Sequence, residues 1–181
     1  MYCSSGEPSQ VEHYRPASVF PELTFTFENY LWSCDICNKA KGARFPPATE
    51  NGAQILNPID DNVWEHFYID ETTGELTKRK DPETKTDFPR AVSTCDIVGI
   101  DRELVQSKRR NLFKFMTKKL RKSNEDFQNA RITKVDLEED IVELRDFHFQ
   151  RDVTEYFLNG PGRVYEPFKS ALSAIGEEIS K

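Results

Sequence analysis

Apolar and polar positions along the chain change their period several times, and each change marks an element. Val11 to Tyr14 reads as a short strand inside a turn-rich lead-in that holds Ser4, Ser5, Gly6, Pro8, Pro16 and Pro21. Leu23-Thr24-Phe25-Thr26-Phe27 alternates like an extended segment, Tyr30-Leu31-Trp32 is a second apolar patch, and Asp35 to Lys41 fits a short helix ended by Gly42. Pro46 to Pro58 reads as loop, and Trp64 to Ile69 and Glu75 to Lys78 flank Glu71-Thr72-Thr73-Gly74 like the arms of a hairpin. Helical spacing then takes over. Asp87-Phe88-Pro89 suits a helix start, with Ala91, Cys95 and Val98 inward as far as Gly99. Asp101 caps a longer helix to about Lys122, whose inward residues are Leu104, Val105, Leu112, Phe115, Met116 and Leu120. Two further helices are expected at about 136–147 and, after Pro167, at 168–179.

The pattern predicts an α+β chain: a strand-and-helix core over residues 1–48, then a hairpin and a mainly helical region over 49–181 packed on it. With 181 residues, mean hydropathy −0.68 and thirteen Phe, it has bulky apolar groups that a disordered chain lacks. No apolar run approaches bilayer length, and the first twenty residues lack the basic start and apolar centre of a signal peptide, so the expected compartment is the cytoplasm, with no membrane partner. In a reducing compartment the spacing Cys34-Asp35-Ile36-Cys37 points to a metal or redox site before a disulfide. A net charge of −6 argues against general nucleic-acid affinity, but residues 101–123 hold nine basic residues against two acidic ones.

The candidate chemistry lies in Val11-Glu12-His13-Tyr14-Arg15-Pro16, Glu28-Asn29 and Cys34 to Gly42. A hard cation such as Mg²⁺ takes oxygen ligands and keeps several waters, so the Glu12 carboxylate and the Asn38 amide oxygen form a sufficient anchor. His13 has the side chain whose ordinary pKa suits a general base near neutral pH. Neighbours on a strand point to opposite faces, so ligand and base in sequence call for a local twist or bulge. Asn29 could hold the backbone or the ring in that arrangement. Lys41, one helical turn beyond Asn38, and Arg15 are candidates to meet phosphate, or else are solvated side chains.

These residues resemble the HNH endonuclease signature of the ββα-metal superfamily. Glu12-His13 matches the acidic-His pair, Asn29 the middle Asn and Asn38 the last ligand, at separations of sixteen and nine residues. The resemblance implies His13 as general base, Asn29 as its orienting residue, and Glu12 and Asn38 as ligands of Mg²⁺ or Mn²⁺. Glu12-His13-Tyr14-Arg15-Pro16, Phe20-Pro21-Glu22-Leu23, Cys34 to Asn38, Lys41-Gly42 and Phe45-Pro46 are similar to the HNH nucleases of Septu and retron-linked anti-phage systems, and weaker echoes run to about residue 115. That likeness implies a DNA endonuclease in bacterial antiviral defence, working beside an ATPase of the ABC/SMC kind. It also implies a structural zinc on two Cys-x-x-Cys pairs. Here Cys34 and Cys37 complete one pair and Cys3 stands alone for the other, so the fourth ligand is missing and a true start upstream of Met1 is expected. Ala17 departs from the pattern, which favours Lys there.

The competing expectation is a zinc-knuckle module that binds nucleic acid or protein without catalysis. Lys108, Arg109 and Arg110 on the basic helix are read as a DNA-backbone track, or as the solvated face of an amphipathic helix. His66, His148 and Cys95 are read as packing residues.

Overall fold

The structure, a computed structural model, describes residues 2–4, 9–46, 54–147 and 150–179. It is mixed α+β, with six α-helices and two two-stranded sheets among those residues. The chain falls into two compact units, Met1–Tyr68 with Thr77–Val105 and Ile69–Leu76 with Gln106–Lys181. The first extends well beyond residues 1–48. His148 lies outside the described residues.

In the first unit, β1 (Gln10–His13) pairs antiparallel with β2 (Tyr30–Ser33), with Glu12 opposite Leu31 and His13 opposite Tyr30. The period of two puts Glu12, Leu31 and Ser33 inside and leaves Val11 and Trp32 exposed. The register is continuous from residue 10 to 13, so of the twist or bulge expected there no bulge interrupts the pairing, and β1 ends at His13. Helix α1 (Asp35–Lys41) follows at once. Cys34 caps it by accepting the Cys37 N–H, and Gly42 at φ 51 ends it. Helix α2 (Pro89–Val98) opens on a proline and stops at Gly99 in the left-handed region, burying Ala91, Cys95 and Val98. Cys95 packs as the sequence suggests, and His66 is half-buried against the Phe88 ring at 5.6 Å.

One expectation fails here. Residues 23–27 are not extended: 3₁₀ turns at Pro21–Leu23 and Phe27–Asn29 bracket them. The alternation misled because Phe25 and Phe27 are 91% and 82% exposed, so no buried face exists for a strand to serve.

Strands β3 (Phe67–Ile69) and β4 (Leu76–Lys78) make the predicted hairpin. Asp70 holds its turn by accepting the backbone N–H groups of Thr72 and Thr73 at 2.9 and 2.8 Å. Gly74, at φ 79, sits so close to Phe113 that a Cβ would overlap that ring.

In the second unit the long helix α3 (Glu103–Gln128) supplies the buried row Leu112, Met116 and Leu120 from residue 106 onward. It runs six residues past the expected end, to the left-handed Ala130 at φ 53. Phe115 points outward rather than in, as does Leu104 in the first turn. Helix α4 (Lys134–Arg145) begins on a capping box between Thr133 and Asp136. Short helix α5 (Arg151–Thr154) runs into a π-turn over Glu155–Asn159, and α6 (Phe168–Ile175) closes the chain. Phe113 and Phe168 pack their rings on Phe157 at 5.0 and 4.6 Å.

Candidate active site

Glu12, His13 and Asn38 line one cleft of about 250 Å³, together with Pro16, Ala17 and Ser18 from the loop after β1 and Gly42 after α1. The first three side chains come from β1 and α1, two short elements held together by contacts such as Asn38 with Gln10. Ala17 places a methyl group at this rim where the resembling pattern has a cation.

His13 Nε2 lies 2.8 Å from the Thr24 carbonyl oxygen. A carbonyl only accepts, so Nε2 carries a proton, and in the neutral ring the lone pair is then on Nδ1. The Tyr30 hydroxyl donates to the same carbonyl at 2.7 Å, and the Tyr30 ring stands edge-on to the imidazole at 5.0 Å. The ring is therefore fixed in one tautomer and one orientation.

Among the described residues the Asn29 side chain makes no hydrogen bond to His13. Its Oδ1 accepts the Arg15 N–H at 2.7 Å, and its Nδ2 donates to the carbonyls of Arg15 and Leu23 at 3.0 and 3.2 Å. Of the two roles foreseen for it, the structure places Asn29 in the backbone-holding one: it clamps the chain after His13 to the loop that carries Thr24. The Arg15 side chain is exposed, with its guanidinium 6.0 Å from the Phe20 ring centre.

Asn38 donates from Nδ2 to Gln10 Oε1 at 2.6 Å, and Gln10 in turn donates to Asp35 Oδ1 at 3.0 Å. This fixes the Asn38 amide with Nδ2 engaged and leaves Oδ1 without a hydrogen bond among the described residues. Gln10 was missed in the sequence. Its signal was present, since Gln10 and Glu12 share a strand face two residues apart.

Lys41 departs from expectation. It is 1% exposed, its Nζ ion-pairs with Glu12 Oε1 at 2.7 Å and donates to the His13 carbonyl at 2.8 Å. It stabilises the site from within and cannot reach a phosphate. Helical spacing put it on the Asn38 side of α1, but that side faces β1, where a buried carboxylate needs a cation. Burial pushes the Glu12 carboxyl above its ordinary pKa, and the Lys41 ammonium opposes that shift. Glu12 Oε2 is buried with no hydrogen-bond partner among the described residues.

A carboxylate and an amide oxygen that line one cleft are oxygen donors of the kind a hard divalent cation takes. Glu12 and Asn38 fit such an ion.

A second cluster joins Cys3, Cys34 and Cys37, whose sulfurs all lie within 4.8 Å of one another. Thiolates around one zinc sit roughly 3.8 Å apart, so these three could bind such an ion. Cys3 and Cys34 are 3.6 Å apart, and Arg102 donates to Cys37 Sγ at 3.4 Å. The Cys3 contact and burial push the Cys37 thiol well above its usual pKa, so a cation is what would hold these sulfurs as thiolates.

Lys108, Arg109 and Arg110 do not form a track. Arg109 is fully buried, bonding Asp152 at 2.7 Å and Gln106 at 3.1 Å; Arg110 pairs with Glu75; Lys108 is exposed. Adjacent residues on a helix point in different directions, so the run could not share one face.

No helix among the described residues is long and apolar enough to cross a membrane. No family model, curated protein or solved structure matches the chain, so what can be said of its function rests on the residues of this cleft and of the cysteine cluster.

Proposed function

We propose that this chain is a metal-dependent endonuclease of the HNH type that hydrolyses phosphodiester bonds in DNA. The observation that carries the reading is the convergence of Glu12, His13 and Asn38 on one cleft, with His13 presented in the tautomer a base requires. His13 Nδ1 takes the proton of a water as its oxygen attacks phosphorus, and the bond to the 3′ oxygen breaks. The leaving oxygen takes its proton from solvent. A cation on Glu12 and Asn38 would supply charge neutralisation at the phosphate and the leaving oxygen. Lys41 favours the charged form of Glu12 against its burial, and Gln10, by engaging Asn38 Nδ2, leaves the amide oxygen as the atom that would hold such an ion. Asn29 and Thr24 set the imidazole in place.

The sulfur cluster, in this reading, is a zinc knuckle that supports the strand bearing the base. The sequence resemblance adds a role in anti-phage defence and an ABC/SMC-type ATPase partner; co-expression and pull-down with such an ATPase tests that part, and its failure to associate removes it.

Manganese binding tests the cation site directly. The full chain should bind one Mn²⁺ by electron paramagnetic resonance, and Asn38→Ala, or Glu12→Gln paired with Lys41→Met so that neither charge is left buried alone, should weaken it at least tenfold while the fold persists. Unchanged affinity in both variants would refute the assignment.

A further inference from the structure

Apart from the exposed Lys108, the basic residues of α3 divide into two sets. Arg109, Arg110 and Lys119 are each neutralised, by Asp152, by Glu75, and by Asp140 with Glu143. Lys114, Lys118, Arg121 and Lys122 are exposed and have no carboxylate within ion-pair distance among the described residues. These four stand at positions i, i+4, i+7 and i+8, one face of a helix.

That face is concave. The four cations line a groove of about 660 Å³, with Phe113 and Thr117 and with Thr72 from the hairpin turn. The Thr117 hydroxyl is buried there with no hydrogen-bond partner among the described residues. Glu71, Glu125 and Glu166 also line the groove, and Glu166 is engaged by the Ser170 hydroxyl. Their repulsion weakens the hold on a lone phosphate. A linear polyanion laid along α3 meets cations in series over eight residues, a rise of about 12 Å. At about 3.4 Å per nucleotide along one strand, that length spans roughly three phosphates.

We propose that this groove in the second unit binds the phosphodiester backbone of nucleic acid, with Lys114, Lys118, Arg121 and Lys122 as the contacting residues. The choice of nucleic acid over another polyanion rests on the nuclease reading. The groove itself supplies affinity without reading sequence, since it offers cations and hydroxyls rather than a fixed set of base-edge partners. It replaces Lys108-Arg109-Arg110 as the basic surface of the chain.

The test is fluorescence anisotropy of a labelled DNA duplex on the full-length chain, in metal-free buffer, across a salt titration. Each phosphate contact contributes about 0.9 to the slope of log affinity against log salt. Lys114→Gln with Lys118→Gln should lower the slope by about 1.8 and weaken binding more than tenfold at 0.1 M salt, whereas Lys119→Gln, at a neutralised position, should change neither. Pyrophosphate should compete only at concentrations far above those of the duplex. Thermal melts confirm that the variants fold. An unchanged slope in the double variant, absence of any duplex binding, or pyrophosphate binding as tight as the duplex overturns the proposal. Loss of the slope in a protein that never cleaves DNA leaves the groove standing and removes the nuclease. Cleavage that persists with an unchanged slope does the reverse.

Discussion

Lys41 and Glu12 are buried together, and the cost of removing two charges from water is offset only while both are present. Lys41→Met leaves an uncompensated carboxylate at the centre of the first unit. It should cost about 3–5 kcal/mol, read as a lowered unfolding midpoint in urea. Adding Glu12→Gln to that variant should restore much of the loss, since the double change leaves no buried charge; a purely additive result would deny the coupling. Gln10 acts at the same scale but through another residue. Gln10→Ala frees the Asn38 amide to rotate, so it should raise the Mn²⁺ dissociation constant several-fold with little effect on stability. Gln10→Glu keeps an acceptor for Asn38 Nδ2 but faces the Asp35 carboxylate, so it should recover affinity only when combined with Asp35→Asn, which restores a donor between the two positions.

Among the elements, the β3–β4 hairpin depends on Asp70. The Thr72 hydroxyl and the Thr72 and Thr73 backbone N–H groups hold its carboxyl below the ordinary carboxylate range. A carboxyl whose folded pKa is depressed contributes its stability above the unfolded value of about 3.9, and that contribution is lost as pH falls through the folded value. Asp70→Ala should therefore cost on the order of 1 kcal/mol at neutral pH, and its difference from the parent should shrink toward pH 2 in melts followed across that range. Legibility from sequence follows the same division between local and distant causes. The strand at Val11 to Tyr14, the helix from Asp35 to Lys41, the hairpin turn at Glu71 to Gly74 and the Gly42 and Gly99 stops are set by neighbours in sequence and were readable, whereas the hold of Asp70 on that turn was not. Arg109 was not, because its burial is decided by Asp152, forty-three residues on. The segment from Gln150 to Val164 was also missed. Its left-handed Gln150 at φ 51 and its π-turn answer to the packing of Tyr156 and Phe157, which carries no period in the sequence.

At the scale of the whole molecule, each unit has its own interior, and only the first holds the sulfur cluster. Glu12, His13 and Asn38 were all legible as candidates. The sequence did not reveal that Thr24 fixes the tautomer of His13 through a backbone carbonyl, because a carbonyl is common to every residue type. If zinc occupies the cluster, elemental analysis should find about one zinc per chain, and a strong chelator should lower the melting midpoint by roughly 10 °C. Hydrogen exchange should then show amides of β1 and α1 losing protection while those of α4 and α6 keep theirs. Equal loss in both units would contradict a zinc confined to the first.

The central claim is that His13 is the base of a metal-dependent nuclease, and nicking of supercoiled plasmid tests it most directly. With Mg²⁺ or Mn²⁺ the chain, with its ATPase partner where one is found, should convert supercoiled DNA to the open circle. His13→Ala, folded and equally able to bind Mn²⁺, should be slower by about 10² to 10⁴. Cleavage at the same rate in His13→Ala, or none by the intact chain under any of these conditions, would contradict it.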